Sequence, residues 1–244
     1  KYPSCGDCWC TPRDGNPALC PNSVAPVSQY SEETVRLFQQ PRPTWIYSLD
    51  CNPYSNSSCT TQPRQTQLDV DNAVCGFTDW DCSTYAMQTF TSREEAMLAG
   101  ARVTHKGSCG LCSTAQDLSI YLKEDFTTEG KKCATLALLE GEQVGLDCYI
   151  EIGLTEECAR IWNYDGMFDG SACGKTCAGS LTAPNNGPPP TCTLNDCLQC
   201  DETEAGPIFS AFAARTRRRS GLLSEIIREC ESIAKGIEHD PTCT

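Results

Sequence analysis

Apolar residues in the second half of the chain recur at intervals of three and four, which is the spacing of one helix face. The clearest such pattern lies near the C-terminus, and its members are Leu222, Leu223, Ile226, Ile227, Cys230, Ile233 and Ile237. This pattern predicts an amphipathic helix over residues 222–237 with Cys230 on its buried face.

Capping residues mark helix boundaries elsewhere. Ser31 precedes two glutamates and an apolar group, which predicts a short helix. Ser92 and Glu95 form a capping-box sequence, and Gly100 is placed to end that helix. Pro207 suits the first turn of another helix. The pattern also predicts a short strand over 101–105 and helices over 113–123, 131–140, 143–152 and 155–163.

Composition divides the chain into three zones. Residues 1–75 are rich in Pro, Ser, Thr and Asn and show little helical periodicity, so a loop-rich, disulfide-linked N-terminal part is expected. Residues 76–180 form a mainly helical body. Residues 181–244 begin with a proline-rich connection and continue as a helical part of the same compact unit. The predicted fold is mainly α, irregular and disulfide-rich, with the loop-rich part packed on the helical body and few short strands.

Cysteine is the outlier of the composition, with 20 among 244 residues. An even number on this scale is typical of disulfide scaffolds in oxidising compartments, and it permits ten bridges. No apolar run reaches the length of a membrane span. Lys1 resembles a mature terminus after processing, and Asn56 begins an N-glycosylation sequon. We therefore expect a secreted protein, extracellular or at the cell surface.

The net charge of −13 argues against nucleic acid or an anionic membrane as a partner. No cofactor and no resident metal is predicted. Opposite charges on one molecule, an acidic body and a short arginine run, also suit association of the protein with itself or with other extracellular components.

The densest group of reactive residues lies at 104–113, ahead of a predicted helix. Cys109 and Cys112 form a C-x-x-C pair, and His105 is the better candidate for a general base, with Asp117 as its orienting carboxylate. Three chemistries use such residues: thiol–disulfide exchange, a cysteine nucleophile, and a zinc site that would lack a fourth ligand. The alternative is plain scaffold, since Cys197 and Cys200 have the same spacing.

The segment from Gly107 to Cys112 resembles the region around the nucleophile of papain-like proteases, where the second cysteine attacks and the first is disulfide-bonded. The resemblance covers about six residues. That family has an aromatic residue where this chain has Ser113, and an oxyanion-hole glutamine where it has Lys106.

The arginine run is the other candidate site. Arg215, Arg217, Arg218 and Arg219 would suit an anionic ligand, because guanidinium forks match carboxylates, sulfates and phosphates. The alternatives are a basic processing site, or salt bridges to an acidic face of a second molecule or to internal acids such as Asp201, Glu202 and Glu204. His239 is expected to be a solvated residue of the tail.

Three segments together resemble uncharacterised secreted cysteine-rich proteins of algae and related microbial eukaryotes. They are Cys109–Ser113, Leu194–Glu202 and Gly206–Leu222. The resemblance would cover most of the chain from about residue 75, and it implies no activity.

The sequence thus predicts a secreted, disulfide-stabilised protein with a structural or ligand-binding role, with self-association as one form of it. The alternative is a secreted enzyme, a hydrolase or a thiol enzyme, centred on His105 and the Cys109/Cys112 loop. In that case the arginine run would bind an anionic substrate.

Overall fold

The computed structural model describes residues 30–123, 125–180, 183–187, 193–222, 224–229 and 232–243. The N-terminal cysteines Cys5, Cys8, Cys10 and Cys20 lie outside the described residues, as do Cys192 and Cys230. Residues 1–29 of the predicted loop-rich zone, which spans 1–75, therefore lie outside them as well.

A small sheet forms one side of the described fold. Its strand order is β1-β5-β4-β6, with β1 parallel to β5 and the other pairs antiparallel. Two further strands, β2 and β3, pair antiparallel by themselves. The strands are β1 (Arg42–Pro43), β2 (Ser48–Leu49), β3 (Thr61–Gln62), β4 (Val74–Thr78), β5 (Thr84–Phe90) and β6 (Arg102–Lys106).

Helices make up most of the rest. They are α1 (Glu32–Phe38), α2 (Arg93–Leu98), α3 (Ala115–Lys123), α4 (Phe126–Glu140), α5 (Glu142–Ile152), α6 (Glu156–Ala172), α7 (Gly174–Ala178), α8 (Asp196–Glu204) and α9 (Gly206–Phe212). A 3-10 turn follows at Arg218–Ser220. The described part is thus mainly helical, as predicted.

Local signals account for most of these boundaries. Ser31 and Ser92 accept backbone N–H groups at the starts of α1 and α2, and Pro207 lies in the first turn of α9. The predicted strand corresponds to β6. The predicted helices correspond to α3–α6, although α4 begins earlier and α6 extends further than the apolar spacing indicated.

Helices α4, α5 and α6 pack closely on one another because small residues line their contacts. A Cβ atom added at Gly166 in α6 would lie 2.6 Å from the Cβ of Ala134 in α4. Tyr149 of α5 is buried beside them and donates a hydrogen bond to the Gly130 carbonyl at 3.0 Å. Helix α3 joins this group through Leu118 and Tyr121, which belong to the main core.

Seven disulfides join the fourteen cysteines that the structure describes. The pairs are Cys51–Cys59, Cys75–Cys109, Cys82–Cys243, Cys112–Cys158, Cys133–Cys148, Cys173–Cys200 and Cys177–Cys197. Two of them link the end of α6 and α7 to α8. Residues on both sides of the proline-rich connection are therefore covalently tied.

The helix predicted over 222–237 is wrong for the described residues of that segment, which are irregular. Several of their backbone N–H groups donate to other segments instead of to carbonyls four residues back. Ile227 donates to Asn186 Oδ1, Glu225 to Asp125 Oδ2, and Ala234 to the Arg218 carbonyl. Leu222 and Ile233 are nevertheless buried. The apolar spacing therefore marked two buried positions and three half-buried ones, Ile226, Ile227 and Ile237, but the backbone conformation that it predicted is wrong.

The hairpin of β4 and β5 was not predicted, and the zone boundary placed at residue 75 falls inside β4. A signal for β5 was present, since Tyr85 and Met87 are buried and alternate with the less buried Thr84, Ala86 and Gln88.

Candidate functional site

Arg215 lies at the centre of the residues that the sequence marked as reactive, and it is completely buried. Its Nε donates to the Cys112 carbonyl at 2.8 Å, and its Nη atoms donate to the Thr104 and Ser113 carbonyls at 3.2 and 3.3 Å. The remaining two N–H groups reach the hydroxyls of Thr104 and Ser220 at 3.1 and 3.2 Å. All five guanidinium donors are therefore used inside the protein.

His105 is also completely buried, and both of its ring nitrogens have partners. Nδ1 lies 2.9 Å from the Lys106 carbonyl, which can only accept, so the proton is on Nδ1. Nε2 then accepts from the Ser113 hydroxyl at 2.8 Å. Burial, followed by the positive charge of Arg215, lowers the pKa of His105 well below its ordinary value. His105 is therefore neutral.

The Ser113–His105 contact has the atomic arrangement in which a histidine activates a serine, and the sequence analysis missed Ser113. Both side chains are inaccessible, however. The Ser113 oxygen also accepts the Gly110 N–H at 2.8 Å, which fixes its orientation. The contact therefore holds the 109–113 loop against β6 and does not face a substrate.

Cys109 and Cys112 are not bridged to each other. Cys109 pairs with Cys75 in β4, Cys112 pairs with Cys158 in α6, and both are completely buried. Thiol exchange, nucleophilic attack and zinc binding each need a thiolate, and neither sulfur is one in this pairing. The two bridges instead anchor one loop to both the sheet and the helical body.

The glycine of the C-x-x-C sequence is explained by close packing. The N–H groups of Leu111 and Cys112 donate to the carbonyls of Phe212 and Ala213, both at 3.0 Å. A Cβ atom at Gly110 would lie 2.5 Å from the Phe212 carbonyl oxygen. Only glycine therefore allows this approach of the two segments.

Asp117 does not orient His105, contrary to the sequence-based prediction. Its carboxylate accepts from the Thr114 hydroxyl at 2.6 Å and from the Thr155 N–H at 2.8 Å, which ties the start of α3 to the start of α6. Burial raises its pKa to about 6 despite these hydrogen bonds. Asp117 is thus a buried link between two helices.

His239 is likewise not a solvated tail residue. It is 6% exposed, packs edge-on against Tyr30, and its Nε2 donates to the Ser220 carbonyl at 2.9 Å. Its Nδ1 is buried and has no hydrogen-bond partner among the described residues. Burial lowers its pKa to about 4.

The rest of the arginine run has mainly internal partners. Arg217 donates to the Tyr121 carbonyl at 2.6 Å and lies 3.8 Å from Asp125. Arg218 pairs with Glu202 at 3.0 Å, one of the acids that the sequence suggested. Within the part of the chain that is described, no carboxylate pairs with Arg219.

Arg218 and Arg219 line a cleft of about 350 Å³. Its walls come from the loop before β4, the turn after β6, and helices α8 and α9. The other lining residues are Gln65, Gln67, Leu68, Val70, Gly107, Ser108, Glu202, Gly206, Pro207, Ser210, Ala211 and Ala214. Of the four arginines predicted to bind an anion, two therefore face this cleft, while Arg215 is completely buried below the surface and Arg217 does not line it.

An acidic cluster is the second notable site. Carboxylate oxygens of Asp165, Asp169 and Asp201 lie within 4.8 Å of one another, and Tyr54 donates to Asp165 at 2.6 Å. Burial, and then the charge of Asp201, raise the pKa values of Asp165 and Asp169. This donor set suits a hard cation or shared protons. A second group, Asp50 with Cys51 and Cys59, offers no thiolate because its cysteines are bridged.

Comparison with known proteins supplies no activity. Residues 142–236 match the model of a protein family described as a family of unknown function (DUF8771). The matched segment contains the acidic cluster and all four arginines of the run. No curated protein and no solved structure matches the chain.

Proposed function

We propose that this protein is a disulfide-stabilised extracellular protein with a structural or ligand-binding role. The observation that carries this proposal is that the reactive residues around His105 are buried and bonded within the protein. His105, Ser113, Cys109, Cys112 and Arg215 form a single buried junction in which hydrogen bonds or disulfides occupy each reactive group. The junction holds the sheet, the helical body and the 212–220 segment together.

The density of disulfides supports an extracellular location. All fourteen described cysteines are paired, and a reducing compartment would oppose this state. None of the described helices combines the length and the apolar character that crossing a bilayer requires.

Asn56 supports passage through a secretory route, where glycans are added. It is exposed in a loop closed by the Cys51–Cys59 bridge, and its Oδ1 accepts the Ser58 N–H at 2.9 Å. We propose that Asn56 carries an N-linked glycan when a eukaryotic secretory host makes the protein. Peptide N-glycosidase should then reduce the mass of the wild type and leave that of Asn56→Gln unchanged.

The rival enzyme hypothesis requires an accessible group in the buried junction. Alkylation of the native, unreduced protein with iodoacetamide, followed by peptide mass mapping, tests the thiol-enzyme form of this hypothesis. The structural or binding role predicts no label at Cys109 or Cys112. Labelling of either residue in the folded protein would favour the thiol enzyme.

Self-association through the arginine run has less support than the sequence suggested, because Arg215, Arg217 and Arg218 have partners within the chain. Light scattering across a salt series tests it. Assemblies held by charge should dissociate as salt rises, and a monomer at every salt concentration would exclude them.

A further inference from the structure

Hydrogen bonds among the described residues engage only one nitrogen of the Arg219 guanidinium. Its Nη1 donates to the carbonyls of Ser210 and Ala214 at 2.9 and 3.1 Å. No hydrogen bond within the described residues engages Nε or Nη2. These two atoms form one edge of the guanidinium fork, the geometry that binds two oxygens of one carboxylate, sulfate or phosphate.

The charges around the cleft favour an anion although the protein as a whole is acidic. Two guanidinium groups, Arg218 and Arg219, line the cleft together with one carboxylate, Glu202. Glu202 is shared between Arg218 at 3.0 Å and Arg228 at 2.6 Å. Among the described residues no carboxylate is therefore left to pair with Arg219, and burial followed by the charge of Arg218 lowers its pKa. An anion in the cleft would supply a countercharge and offset the repulsion between Arg219 and Arg218.

Neutral groups complete the cleft. The Ser108 hydroxyl accepts the Leu68 N–H at 3.0 Å, so its own proton can be donated to a ligand. Gln65 lines the same wall, and Leu68, Val70 and Pro207 provide an apolar side. A volume of about 350 Å³ lies in the range of small-molecule sites and suits a ligand about as large as a monosaccharide.

We propose that this cleft binds one compact oxyanion, either a free inorganic ion or the acidic group of a small organic ligand, with Arg219 as its bidentate partner. The proposal rests on the proposed function, because it specifies the ligand class of a binding protein. Arg219 is held in place by two carbonyls before the ligand arrives, so the site is preorganised on the protein side.

The test uses NMR of the full-length oxidised protein at low salt, following the Nε–H signals of the arginines. The probes are D-galacturonate, its neutral counterpart D-galactose, and inorganic sulfate. Galacturonate or sulfate should shift the Arg219 signal in a saturable way, and galactose should not. Tighter binding of galacturonate would identify an organic acid as the ligand type, and tighter binding of sulfate would identify a free inorganic ion.

Two substitutions and a control assign the binding to the cleft. Arg219→Gln should weaken it at least about tenfold, since a charge-assisted bidentate contact is lost. Arg36→Gln removes the same charge from an exposed position on α1 that does not line the cleft, and it should leave the affinity unchanged. Arg219→Gln also removes the hydrogen bonds to two carbonyls, so a second variant is needed that leaves them in place. Gln65→Glu places a competing carboxylate in the cleft and should also weaken anion binding.

Three results would overturn the proposal: no saturable shift with either anion, equal binding of galactose, or equal weakening by Arg36→Gln and Arg219→Gln. None of these results would affect the iodoacetamide experiment, which tests the proposed function. A protein with unreactive Cys109 and Cys112 but no anion affinity would thus retain a structural role and lose only this ligand class.

Discussion

Replacing Arg215 with methionine should lower the free energy of unfolding by about 3–5 kcal/mol. The substitution fills most of the same volume but leaves the carbonyls of Thr104, Cys112 and Ser113 without their donor. A buried polar group that loses its partner costs about 1–3 kcal/mol, so these three carbonyls alone give about 3–9 kcal/mol.

Relief from burying the charge offsets part of this loss. Burial lowers the pKa of Arg215 from its ordinary value to about 10, which corresponds to about 3 kcal/mol at about 1.4 kcal/mol per pKa unit. Methionine does not carry this cost. Arg215→Lys retains the charge but cannot reproduce the five-donor fork, so it should also destabilise, by roughly 2 kcal/mol or more.

The assay is urea denaturation of the oxidised protein at pH 7, followed by circular dichroism. Arg36→Met is the control, because Arg36 is exposed and its replacement should change stability by less than about 0.5 kcal/mol. Amide exchange adds a local measurement, since the Leu111 and Cys112 N–H groups should exchange faster in Arg215→Met. If Arg215→Met and Arg36→Met have equal stability, Arg215 does not organise the core and the reasoning is refuted.

Three further experiments test other parts of the structure. Gly110→Ala should destabilise the protein by about 1–3 kcal/mol, because its Cβ would meet the Phe212 carbonyl. Gly130→Ala has open space around its Cβ in α4 and should stabilise the protein slightly. Thermal melts of the two variants test this difference. His239 has a pKa of about 4 when folded, below the unfolded 6.5, so the unfolded state binds more protons between these values. Stability should therefore fall by up to about 3 kcal/mol as pH drops through that window, and His239→Gln should flatten this part of the profile. Asp169 has a raised pKa when folded, so its stabilising contribution is present below about pH 4 and is lost as pH rises. Asp169→Asn should therefore raise stability at pH 8 and leave it unchanged at pH 4. Equal effects at both pH values would contradict this prediction.

Much of the secondary structure was predictable because its signals are local. Ser31, Ser92 and Pro207 mark helix starts through contacts within one turn of the backbone. The helix predicted over 222–237 was wrong because the backbone of this segment has partners, such as Asn186 and Asp125, in distant parts of the chain. The spacing of residues within one segment carries no information about such distant partners.

Part of the site's membership was predictable from the sequence, although Ser113 was missed, but the role of the site was not. The sequence marked His105, Cys109, Cys112 and the arginine run, and the structure brings Arg215 of that run together with the first three in the buried junction. It could not show that Arg215 is buried, since arginine is usually exposed and its five acceptors lie on three separate segments. It also could not distinguish Arg219, whose significance is that Glu202, the carboxylate of the cleft, pairs with Arg218 and Arg228.

Mapping the disulfides of the native protein tests the central claim most directly. Proteolysis without reduction, followed by mass spectrometry, should yield linked peptides for Cys75–Cys109 and Cys112–Cys158. These two links would establish the 109–113 loop as an anchor between the sheet and the helical body. A Cys109–Cys112 bridge, or free thiols at these positions, would contradict the account and make this loop a redox or catalytic site.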